Sequence, residues 1–136
     1  MSTSNLDKNL NLSLLILRIA VGVIFILAGW GKLNGIEGIA GFFGNVGIPL
    51  AGIMAWVVAL VEFLGGILVL IGYKIRIPSI LLAIVMVVAI LMVKMGGEFD
   101  NMRIDISLLA MTIALSLVGS GDYSVDSKVA GGSSDL

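Results

Sequence analysis

Arg18 and Glu62 stand where chemistry is costly to place: each falls inside a stretch that otherwise reads as a membrane-spanning helix. A charge at bilayer depth costs at least ~2.5–3.5 kcal/mol, so such a side chain faces a protein interior and has a partner or a task. A desolvated carboxyl can accept and return a proton, which makes Glu62 the expected catalytic acid–base group with Arg18 as its partner. Lys32, Arg103 and Asp105 lie at the ends of apolar stretches, and Trp30 precedes Lys32 by two residues. Cations of this kind bind an oxyanion or polarise a carbonyl, so Lys32, Arg103, Trp30 and Asp105 are the expected substrate-binding set. Against this stands a structural reading, in which an Arg18–Glu62 pair only fixes helix register. Charge placement alone leaves both open.

The rest of the inventory narrows the chemistry. The chain has no cysteine and no histidine, which removes the CxxC redox pair, iron–sulfur clusters and histidine- or cysteine-ligated haem. A zinc site lacks both of its usual ligand types, so no metal site is expected. The seven methionines do not cluster and read as apolar filler. No glycine-rich phosphate loop follows a strand, and a net charge of −1 gives no footing for nucleic acid. Any redox role must then place the electrons on a lipid-soluble cofactor such as quinone, on the substrate, or on another subunit. No covalently bound cofactor is expected.

The elements that must position these groups are apolar helices. Hydrophobic residues make up 59% of the chain and charged residues 12%, with a mean hydropathy of +1.15. Soluble domains carry roughly 25% charged residues. Four stretches, near 12–33, 50–72, 78–94 and 103–119, approach or exceed the length a bilayer-crossing helix needs, about 20 residues. The expected fold is an all-α membrane protein, a four-transmembrane-helix up-down bundle. It occupies one domain over residues 12–126, with a cytoplasmic segment at 1–11 and a disordered tail at 127–136. The first stretch is too long for a signal-peptide core and is broken by Arg18, so it is read as a retained helix. An even number of crossings puts Lys8, Lys74, Arg76 and Lys128 on one side and Lys32, Lys94 and Arg103, with four carboxylates, on the other. The positive-inside rule then makes the termini cytoplasmic.

Each span carries a stripe of small and polar residues, the marks of a helix–helix interface in lipid. Arg18, Gly22, Phe25, Gly29 and Lys32 form one; Ala55, Ala59, Glu62 and Gly66 another; Asp105, Leu109, Thr112, Ser116 and Gly119 a third. The span at 78–94 offers only Ser79, Ala83 and Met86 and is expected to be the most lipid-exposed. With span ends aligned, Arg18 lies roughly 9 Å and Glu62 roughly 15 Å from the cytoplasmic end, within reach of one another. Lys32 and Asp105 come out together near the outer face. Between the first two spans Gly35, Gly38, Gly41, Gly44 and Gly47 recur every third residue around Phe42 and Phe43. This segment is read as interfacial, and as a compact connector in preference to a mobile lid.

Several of these residues resemble a known family. Leu17-Arg18-Ile19 with Gly22, then Ala28-Gly29-Trp30-Gly31-Lys32-Leu33, is similar to the opening helix of DoxX family membrane proteins. Gly47-Ile48-Pro49, then Glu62-Phe63-Leu64-Gly65-Gly66 and Gly72, resembles the family's second helix, and Gly119-Ser120-Gly121-Asp122-Tyr123-Ser124-Val125-Asp126 its closing signature. One departure is Ile104-Asp105, where members often carry Glu-Leu. The resemblance implies a four-helix integral membrane protein of the plasma membrane, of the DoxX/DoxD-like type associated with thiosulfate:quinone oxidoreductase as its small subunit. Quinone is then the implied cofactor. Oxidoreductase partner subunits or further copies of the chain are the implied partners, besides the bilayer itself. A non-catalytic anchor or assembly subunit and a small proton-coupled exporter are the alternative functions.

Overall fold

The computed structural model describes residues 3–96 and 102–119. Among them the chain is all-helical, with α1 at Thr3–Asn34, α2 at Ile36–Asn45, α3 at Ala51–Ile71, α4 at Arg76–Gly96 and α5 at Met102–Val118. The closing signature beyond Gly119 and the tail at 127–136 lie outside the described residues.

Helix ends follow local backbone chemistry. Gly72 closes α3 in the left-handed conformation at φ 74°, and the N–H groups of Gly72 and Tyr73 both donate to the Leu68 carbonyl at 2.9 Å. That satisfies a carbonyl the helix cannot pair for itself. Gly119 does the same for α5 at φ 93°. Pro78 is the third residue of α4, inside the turn whose N–H groups have no helical acceptor. The α1 helix starts earlier than the expected span, at Thr3, so residues 3–11 continue it without a break. Its 32 residues reach roughly 48 Å, past the ~30 Å hydrocarbon thickness.

The helices pack in a ring, α1 on α3, α3 on α4, α4 on α5 and α5 back on α1, with α2 lying against α3. The stripes on α1 and α3 face inward: Arg18, Gly22, Phe25 and Gly29 are buried, as are Ala55, Ala59, Glu62 and Gly66. On α5 the buried face is Leu108, Thr112, Leu115 and Gly119, so the expected stripe is rotated: Leu109 and Ser116 sit half-buried at its edge. On α4 the buried face is Ser79, Leu82 and Met86, with Ala83 beside it. The other faces of α4 leave Ile77, Ile80, Leu81, Ile84, Val87, Val88 and Leu91 exposed, as expected of a lipid-facing helix. The outer faces of α1 and α3 are also apolar, with Ile16, Leu27, Ile53, Trp56 and Leu64 each at least half exposed. Only lipid solvates such a surface without cost. Two helical stretches, Asp7–Asn34 and Ala51–Ile71, are long and apolar enough to cross a membrane.

Glycine sets the closest contact in the ring. A Cβ on Gly29 would run into the Phe63 backbone, and one on Gly66 would meet the Ile26 nitrogen at 2.8 Å. A Cβ on Gly22 would meet Leu70 Cβ at 2.8 Å and the Gly66 carbonyl oxygen at 2.9 Å. Gly31, two residues from Gly29, has nothing within 4 Å of its Cβ position. Gly29→Ala and Gly66→Ala should therefore force α1 from α3 and lower stability by about 1–3 kcal/mol or more, whereas Gly31→Ala should melt at or above the wild-type temperature. Thermal unfolding of the three variants in detergent checks this; equal melting points for Gly29→Ala and Gly31→Ala would refute the contact.

Candidate functional site

The register set by those glycines decides which charges meet. Gly22 meets Leu70 and Gly29 meets Phe63, so α1 and α3 run antiparallel with residue-for-residue correspondence. Extended by one residue, this register places Glu62 beside Trp30, more than three turns of α1 beyond Arg18. Arg18 and Glu62 are then about 18 Å apart along the axis, and the expected pair does not form. Glu62 instead takes Lys32: Lys32 Nζ donates to Glu62 Oε2 at 2.9 Å. The expectation failed because it aligned the ends of the two spans, whereas the glycine contacts slide α1 by about 12 Å relative to α3.

Arg18 has its own setting. Its side chain is 1% exposed, and Nη1 donates to the Leu70 carbonyl at 3.1 Å. Leu70 lies in the last turn of α3, where carbonyls lack helical donors and the helix dipole is negative. A guanidinium satisfies both conditions. Arg18 thus caps α3 two turns away from Glu62.

The other predicted residues divide cleanly. Lys32, Glu62 and Asp105 line one cavity of about 550 Å³. Glu62 is almost fully enclosed, at 3% side-chain exposure, and Lys32 is partly open at 26%. The remaining wall is apolar and is drawn from every helix: Phe25 and Ala28 of α1, Phe42 and Phe43 of α2, Met54 and Val58 of α3, Met86 and Ala89 of α4, and Leu108 of α5 are among its members. Trp30 is outside it, 56% exposed with its ring 6.0 Å from that of Phe63. Arg103 is exposed and also outside the lining. Asp105 joins Lys32 as expected, and Glu62 joins them, so the three groups form one site with Arg18 apart.

Sequence reasoning missed the contribution of α2. Ile39, Phe42 and Phe43 of that helix wall the cavity, so the segment read as a connector closes one side of the site. The adjacent aromatic pair amid glycines was the available signal. The cavity is not sealed: Ile24, Ile84, Val88 and Ile104 line it while remaining exposed on the apolar outer surface. Thr112, though buried, is spent on its own helix, donating to the Leu108 and Leu109 carbonyls. No metal-binding cluster of acidic residues occurs among the described residues.

Known proteins are similar to this chain over most of its length. The DoxX family model matches residues 13–95, a region that includes Arg18, Lys32 and Glu62. This chain belongs to the DoxX family. It is 38% identical over 122 residues to a Bacillus subtilis (strain 168) protein named "Putative oxidoreductase CatD", covering 89% of this chain and 90% of that one. Identity is 31% over 120 residues to the inner membrane protein YqjF of Escherichia coli (strain K12), covering 85% and 91%. It is 30% over 132 residues to the uncharacterised membrane protein Rv3486 of Mycobacterium tuberculosis, covering 86% and 81%. No solved structure matches. The family assignment and the apolar outer surface together make the chain a membrane protein; Asp105 lies beyond the matched residues of the family model.

The geometry separates two kinds of charge coupling. Lys32→Met strands Glu62 as a buried charge and should destabilise by an amount toward the lower end of the ~3–5 kcal/mol range for broken buried pairs, given the partial exposure of Lys32. Adding Glu62→Leu to it should recover most of that loss. In a double-mutant cycle Lys32 and Glu62 should couple by more than ~1 kcal/mol, while Arg18 and Glu62 should add within ~0.5 kcal/mol. Chemical or thermal unfolding of the two cycles is the measurement, and strong coupling of Arg18 to Glu62 would contradict the register.

Proposed function

We propose that this DoxX family protein is a subunit of a quinone-linked membrane oxidoreductase system, binding quinone or a similarly apolar redox substrate in the Lys32–Glu62–Asp105 cavity. The observation that carries this reading is the cavity: a volume of about 550 Å³ lies in the ~300–1,000 Å³ range of small-molecule sites, which pair apolar walls with a few convergent polar groups. Its lining reaches the lipid-facing surface at Ile24, Ile84 and Ile104, where a lipid-phase molecule would arrive. The similarity to a relative named as an oxidoreductase supports the same class.

The residues divide the work. Lys32 commits one N–H to Glu62 and keeps two more for a ligand oxygen. Glu62 orients that ammonium and can exchange a proton with a bound group through it. The chain supplies no redox centre of its own, so quinone when bound is the electron carrier and partner subunits are its donors or acceptors. A tight Lys32–Glu62 pair speaks against a proton-coupled exporter, which needs Glu62 free to exchange its proton for a cargo cation.

Four crossings by α1, α3, α4 and α5, with cytoplasmic termini and α2 at the outer surface of the plasma membrane, accommodate this site. The absence of native cysteine makes the orientation directly measurable: Lys74→Cys should resist a membrane-impermeant maleimide in intact cells, and Gly38→Cys should react. The reverse pattern would invert the topology.

Function is tested on purified protein in nanodiscs. Decylbenzoquinone should bind saturably, and Ala28→Phe, which fills the cavity, should abolish binding while the protein still folds. In membranes with the partner subunits present, Glu62→Gln should lower quinone-linked turnover about tenfold or more. Absence of binding to the wild type, or unchanged turnover in both Glu62→Gln and Lys32→Met, would favour the anchor role instead.

A further inference from the structure

The three polar groups of the cavity do not balance. Two carboxylates share one ammonium in the lining: Lys32 is in direct contact with Glu62 at 2.9 Å and acts on Asp105 only through space, which leaves the lining with one carboxylate in excess. Among the described residues Asp105 makes no ion pair or hydrogen bond; Lys32 and Glu62 are the charges near enough to act on it. It sits in the first turn of α5 and is half-buried. Its carboxylate is an acceptor with no donor role when ionised.

Resting on the ligand-binding reading above, we propose that Asp105 is the specificity-determining residue of the cavity, selecting apolar molecules that bring hydroxyl donors and rejecting anions. Like charges inside low-dielectric walls repel far more strongly than in water. An acidic ligand entering this cavity would face a surplus carboxylate, with one ammonium already shared between Glu62 and Asp105. A hydroxyl presented by the ligand gains a charge-assisted hydrogen bond to Asp105, stronger than one between neutral partners. A quinone carbonyl at the same place has no proton to give and faces an acceptor. The site therefore favours the reduced, dihydroxy form of an aromatic redox pair over its oxidised form. It also excludes small oxyanions and carboxylates, although lysine and arginine at the ends of the helices suggest anion binding from sequence alone.

The experiment uses the full-length protein in nanodiscs under anaerobic conditions, with dissociation constants measured for decylhydroquinone, decylbenzoquinone and decanoate. Wild type should bind the hydroquinone about tenfold tighter than the quinone, the ratio expected of one charge-assisted hydrogen bond, and bind decanoate more weakly than either. Asp105→Asn preserves the shape but supplies a donor, so the preference between the redox forms should collapse toward unity and decanoate should gain affinity. Equal wild-type affinity for the two redox forms, decanoate binding as tightly as the hydroquinone, or an unchanged ratio in Asp105→Asn would each overturn the assignment. The wild-type comparison decides the question even where the variant does not fold. Failure of all three compounds to bind wild type overturns the cavity reading itself, whereas binding without discrimination overturns only the role of Asp105.

Discussion

The backbone contact between α1 and α3 is the constraint from which the site follows. Lipid offers helices no hydrophobic incentive to associate, so close packing must supply the attraction, and Gly22, Gly29 and Gly66 let the two backbones approach within side-chain radius. A contact this tight tolerates no sliding, because a one-residue shift would drive a side chain into the opposing backbone. Register is thereby fixed, and register is what brings Lys32 to Glu62 at 2.9 Å. The ion pair adds to a geometry that small residues have already imposed. It also makes the insertion of Glu62 into an apolar helix tolerable, since an enclosed carboxylate without a cation would be far costlier.

Arg18 solves a related problem at the opposite end of α3. The last carbonyls of a helix have no internal donors, and in a membrane protein water is not always at hand to replace them. A buried guanidinium donating to Leu70 meets that need and lies at the negative end of the helix dipole. Two intramembrane charges that look alike in sequence thus have separate work. One holds the end of a helix, and the other forms the polar floor of a cavity.

Much of this was legible in the residue pattern, because apolar length, glycine caps and small-residue stripes each rest on local chemistry. Gly72 and Gly119 close their helices in the left-handed conformation that glycine adopts without strain, and the inward faces of α1 and α3 follow the spacing of Arg18, Gly22, Phe25, Gly29 and Lys32. What failed was relational. The offset between two antiparallel helices is not written on either helix alone, and aligning span ends assumes both begin at one membrane plane. The start of α1 at Thr3 breaks that assumption and moves Glu62 from Arg18 to Lys32. On α5 the stripe containing Leu109 and Ser116 was displaced for a different reason: Leu108 and Leu115 turn to the core, and burying Leu115 gains more than burying the adjacent Ser116, a serine bonded to its own helix.

The role of α2 follows from what the other helices cannot do. Their inward faces meet closely along the α1–α3 contact, yet near Lys32 and Asp105 the ring spreads enough to leave a cavity of about 550 Å³. Phe42 and Phe43 bring bulk to that gap from a ten-residue helix that has no buried residues of its own. The helix rests on α3 by one face, with Gly38 and Gly41 open on the other. The charged floor is therefore held in register by α1 and α3, while the aromatic wall comes from a separate helix. The two chemistries of the cavity thus come from different elements: the charges from Lys32 of α1, Glu62 of α3 and Asp105 of α5, and the aromatic wall from Phe42 and Phe43 of α2.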